Sequence, residues 1–81
     1  MNLVVGLSQW RVSLRSGLTL DLWADSYSEE GGEFLFGVLA DVPMDEQREV
    51  RICDRSPDSQ QRVVVVLAAI KSDEVAEIKA L

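Results

Sequence analysis

Apolar and polar side chains alternate with period two over most of the stretch from Trp10 to Val42, the pattern of strands with one face buried and one face wet. Trp10, Val12 and Leu14 fall on one side and Arg11, Ser13 and Arg15 on the other, which predicts a first strand. Ser16-Gly17 interrupts it. Leu18, Leu20, Leu22 and Ala24 then alternate with Thr19, Asp21, Trp23 and Asp25, so a second strand and a hairpin are predicted. Ser28-Glu29-Glu30-Gly31-Gly32-Glu33 forms the next break, its two glycines supplying the positive φ angles of a tight turn. Phe34, Phe36, Val38, Ala40 and Val42 make a third strand, ended by Pro43, which has no amide hydrogen for the ladder.

Pro43 to Arg48 predicts one helical turn, with acids in its first turn. Val50, Ile52 and Cys53, set among Glu49, Arg51 and Arg55, read as a short fourth strand whose charges protect a sheet edge. Ser56 to Gln61 is a loop. The unbroken apolar run Val63 to Ile70 predicts the most buried strand, covered on both faces. In the last ten residues Ser72 can cap a helix, and Val75, Ile78 and Leu81 share a face at spacing three, which favours a short helix packed over the sheet. Against it, Lys71-Ser72-Asp73-Glu74-Val75-Ala76-Glu77-Ile78 resembles the end of SH3-type barrels, where a Pro-Ser-Asn-Tyr turn leads into Val-x-x-Ile of the closing strand. That resemblance implies a strand. Lys71 stands in place of the proline and Glu74 in place of the aromatic, so no ligand site is carried over from it.

The register of the second hairpin decides which side chains meet, because directly opposed residues share a face. A three-residue loop, Glu30-Gly31-Gly32, pairs Leu22 with Ala40, Ala24 with Val38 and Ser26 with Phe36. It also places Trp23 beside Leu39 and Tyr27 beside Leu35 on the opposite face. A two-residue loop, Gly31-Gly32, pairs Tyr27 with Phe36 and sets Asp25 against Val38. Burying an unpaired carboxylate costs several kcal/mol, so the three-residue loop is preferred. It yields an apolar island of Trp23, Tyr27, Leu35 and Leu39 with Asp21, Asp25 and Asp41 at its rim. The island either lies beneath Leu3 to Leu7 or the C-terminal segment, or is exposed and binds a second copy or another protein.

With 81 residues the chain makes one domain, spanning residues 1–81. Its 47% hydrophobic and 27% charged content is that of a folding chain, and the residue usage resembles that of a GC-rich bacterium. The absence of histidine excludes imidazole ligands and Ser/His or Cys/His catalysis, and the single Cys53 excludes an intrachain disulfide and suits a reducing cytoplasm. A net charge of −6 has the wrong sign for a phosphate backbone or an anionic membrane. The N-terminal apolar stretch lacks the basic flank and cleavage site of a signal peptide, and no apolar run approaches a membrane span. The carboxylates lack the spacing of a calcium loop, and the glycines that of a phosphate loop. No cofactor, metal or catalytic set is therefore expected.

These readings converge on a mainly β domain of about five antiparallel strands, curled into a small SH3-like barrel or open sheet, with a C-terminal helix left open. The expected function is that of a non-catalytic, cytoplasmic interaction module. It would self-associate or bind a protein through Trp23, Tyr27, Leu35, Leu39, Asp21 and Asp25. The alternative is an acidic regulatory decoy that occupies a basic nucleic-acid-binding surface on another protein.

Overall fold

A computed structural model describes residues 7–81. Strand β1 (Ser8–Leu14) pairs antiparallel with β2 (Thr19–Ala24) through a turn in which Gly17 takes φ 99°. The chain bends at Asp25 and continues as β3 (Ser26–Glu30), which pairs with β4 (Glu33–Asp41). A 3-10 segment (Met44–Glu49), β5 (Ile52–Arg55), β6 (Arg62–Lys71), a 3-10 turn (Ser72–Glu74) and β7 (Val75–Ala80) follow. The sheet orders are β2-β1-β7 and β3-β4-β6-β5. Because β2 and β3 are successive parts of one bent strand, each sheet holds one half of it, and the two apolar faces close on each other as a small, partly open barrel.

The C-terminal segment, left open between helix and strand, is a strand. Val75 pairs with Leu14 and Glu77 with Ser13, leaving Ala76 as an extra, bulged residue. That bulge explains the misleading pattern: it brings Val75 and Ile78 to the barrel interior three residues apart, a spacing that mimics a helix face. The 3-10 turn at Ser72–Glu74 leads into this closing strand, as the SH3-type resemblance implied. The predicted helical turn after Pro43 and the short edge strand at Ile52 are both present.

The hairpin loop is the two-residue alternative. Tyr27 pairs with Phe36, Ser28 with Leu35 and Glu30 with Glu33, around Gly31 (φ 57°) and Gly32 (φ 80°). Two successive positive φ angles match the twist of the flanking strands, which a type I′ turn requires and which two glycines adopt freely. The side chain that had argued against this register, Asp25, sits at the bend rather than inside a strand. Its amide donates to the Gly37 carbonyl (2.9 Å), and its carboxylate accepts from the Leu39 amide (2.5 Å). The bend also resets the alternation, so Ala24 and Tyr27 both face inward although they are three positions apart.

Strand β6 is central in its sheet but is not the most buried, contrary to expectation. Only Val63 is fully enclosed; Val64, Val65 and Val66 are half-buried, and Leu67 bulges outward between the Phe36–Ala68 and Gly37–Val66 pairs. With the C-terminus a strand, no helix covers the outer face of β6. Strand β4 carries more of the core, through Leu35, Phe36 and Gly37. The core proper comprises Val12, Ala24, Phe36 and Val75, with Trp10, Leu14, Leu22, Phe34, Ala68, Ile70 and Ile78 packed around it. The indole of Trp10 donates to the Ala24 carbonyl (3.1 Å), which satisfies its one polar atom. Gln47, the one buried polar side chain among the described residues, donates to the carbonyls of Val42 and Gln60 and accepts from Arg55 (2.6 Å). These bonds tie the 3-10 segment to the loop before β6.

Candidate interaction surface

The residues expected to form one patch fall into three settings. Trp23, on the outer face of β2, is 58% exposed, and β2 is the terminal strand of its sheet among the described residues. Asp21, on the same face, accepts two hydrogen bonds from Arg11 (2.8 and 2.9 Å), which holds its carboxyl below the usual range. Leu39 is 50% exposed, and its amide is anchored to Asp25 two residues beyond Trp23. The bend at Asp25 thus links the end of β2, which carries Trp23, to β4 through the Leu39 amide.

Tyr27 and Leu35 do not join them. Leu35 is enclosed, at 3% exposure, and cannot touch a partner. Tyr27 turns toward the interior face and joins a row of rings: Trp10 meets it edge-on at 5.1 Å, Phe36 lies at 5.3 Å and Phe34 at 5.9 Å. Phe34, which no sequence argument had singled out for a surface role, became legible only through the two-residue loop, which puts Tyr27 and both phenylalanines on one face. The expected cover over Trp23 is not the C-terminal segment, because β7 packs along β1 on the side away from β2. Leu3 to Gly6, part of the other expected cover, lie outside the described residues.

The outer face of the second sheet forms a groove of about 330 Å³ between Ser26, Ser28 and Glu30 of β3 and Cys53, Asp54 and Val64. Burial pushes the Cys53 thiol up, and the nearby carboxylates of Glu30 and Asp54 push it further. The thiolate is the reactive form, so this environment quiets the sulfur. Iodoacetamide should therefore alkylate Cys53 several-fold more slowly in the folded chain than in urea at about pH 8. A rate equal to that of the unfolded chain would contradict the assignment. The linked stability follows the same sign: it is present below the unfolded pKa of the thiol and is lost as pH rises through the folded one.

Among the described residues no group of three or more His, Cys, Asp or Glu is placed to hold a metal ion, and no helix is long and apolar enough to cross a membrane. The fold and surface define a small β-rich domain of two antiparallel sheets, one curled into half a barrel. Comparison with protein-family models, curated proteins and solved structures gives no match.

Proposed function

We propose that this chain is a non-catalytic interaction module that docks a protein at the β2 edge, with Trp23 as the anchor and the exposed Leu39 of β4 as a further apolar contact. The observation that carries this reading is a tryptophan 58% exposed on the strand that is terminal in its sheet among the described residues. An edge strand offers unpaired backbone donors and acceptors to an added strand, and a large exposed aromatic supplies the contact area that dominates interface energies. Asp21 and Asp25 belong to the rim rather than the anchor, because Arg11 and the Leu39 amide already engage them. Cys53 is the chain's only cysteine and carries no disulfide, which suits a reducing, cytoplasmic setting.

Light scattering on a size-exclusion column, at two protein concentrations and two salt concentrations, tests the reading for a second copy of the chain. A salt-resistant mass of about twice the monomer, reduced to the monomer in Trp23→Ala with unchanged circular dichroism, is the expected outcome. The association constant should fall at least about thirtyfold in that variant, the loss typical of a central aromatic anchor. Association that is untouched in the folded variant removes Trp23 from the interface. The acidic decoy is the second reading, favoured by the fact that only Asp21, Glu33 and Asp41 of the described acids sit in ion pairs. A complex of that kind dissociates near 0.5 M salt, where charges are screened within roughly a few ångström.

A further inference from the structure

The β3–β4 hairpin and β7 leave between them a cleft of about 280 Å³. Tyr27, Glu29 and Phe34 line it from the hairpin, and Val75, Glu77 and Ile78 from the closing strand. Its size admits one long side chain, and it falls just below the roughly 300–1,000 Å³ of pockets that enclose small molecules.

The rings are fixed before any ligand arrives. Tyr27 meets Phe34 at 5.9 Å and 70°, and Trp10 and Phe36 back it from the core, so presenting it costs no new ordering of the side chain. Aromatic faces attract cations through the ring quadrupole. The carboxylate of Glu29, on the face that Tyr27 and Phe34 share, adds to that attraction and is in none of the ion pairs among the described residues. No basic residue lines the cleft, and the arginines are engaged elsewhere. Arg11, Arg51 and Arg62 pair with Asp21, Glu33 and Asp41, while Arg15, Arg48 and Arg55 donate to the carbonyls of Asp73, Asp45 and Gln60. The molecule as a whole carries −6. An anion is repelled here, and an uncharged apolar group would desolvate the Glu29 carboxylate with nothing in return.

We propose that this cleft takes a lysine or arginine side chain of a partner protein. The aliphatic stem lies along Tyr27, Phe34, Val75 and Ile78, and the cationic head meets Glu29. No residue of the Trp23 edge lines the cleft, so this site and the β2 edge stand or fall separately.

The test is a titration of the 15N-labelled full chain, followed by amide chemical shifts. The probes are N-acetyl-lysine amide and N-acetyl-arginine amide, with N-acetyl-norleucine amide as the uncharged stem. Both cations should shift the amides of Tyr27, Glu29, Phe34 and residues 75–78, and norleucine should leave them in place. Glu29→Gln, at an exposed position that leaves the core intact, should weaken binding about three- to tenfold. Asp45→Asn should bind as the parent does. Four results would each overturn the proposal: no saturable shift, equal shifts from norleucine, shifts spread over all the surface acids, or a Glu29→Gln variant that binds as well as the parent.

Discussion

Replacing Phe36 with alanine should lower the free energy of unfolding by about 3–5 kcal/mol. The ring is fully enclosed and lies in contact range of Tyr27 at 5.3 Å and Trp10 at 6.5 Å, so its removal leaves a cavity walled by two rigid rings that cannot collapse into it. A domain of this length has about 3–5 kcal/mol to lose, so the variant should be largely unfolded at 25 °C without denaturant. Far-UV circular dichroism over a urea series measures this directly. Leu67→Ala is the matched comparison: Leu67 is 56% exposed at a bulge, and its truncation should move stability by no more than about 0.5 kcal/mol. If the two variants melted together, Phe36 would not be the centre of the core.

The second large effect is expected at Gly37. Its backbone has no positive φ, so the demand for glycine there is one of space. A Cβ at this position would lie 2.6 Å from Val64 Cγ1 and 2.9 Å from the Val65 carbonyl oxygen. The valine methyl can rotate away, but the carbonyl belongs to the β4–β6 ladder and moves only with the strand. Gly37→Ala should therefore cost about 2–3 kcal/mol, in the range of overpacked cores, although alanine is otherwise the better residue in a strand. The double variant Gly37→Ala with Val64→Ala separates the two contacts. Recovery of less than half the loss is expected, because the backbone contact remains. Full recovery would assign the whole effect to the side chain.

Most of the strand plan was legible in the sequence because alternation reports burial directly. The hairpin β1–β2, the end of β4 at Pro43, the 3-10 segment after it and the edge position of β5 each follow from residues whose local chemistry has one outcome. The failures share one cause, which is a residue that breaks parity. Asp25 bends the strand and resets the inward positions, so a continuous reading of residues 18–28 placed Tyr27 on the wrong face and produced a four-residue patch that the structure divides. Ala76 and Leu67 do the same in β7 and β6, one creating a false helix period and the other exposing a leucine inside an apolar run. Nothing in a local window marks such positions, because they are set by the partner strand. Of the candidate site, Trp23, Leu39 and the acids near the bend were identifiable from the sequence. The cleft beside Tyr27 was not, since its two walls are more than forty residues apart in the chain.

The pairing of β1 with β7 has a consequence for the order of events during synthesis. Val12 and Val75 lie in the same core, and β1 keeps one ladder unfilled until Val75–Ala80 is present. A nascent chain cannot close the barrel while β7 is still inside the exit tunnel. Folding is therefore coupled to emergence of the closing strand, and until that moment the edge of β1 and the half-built core are exposed.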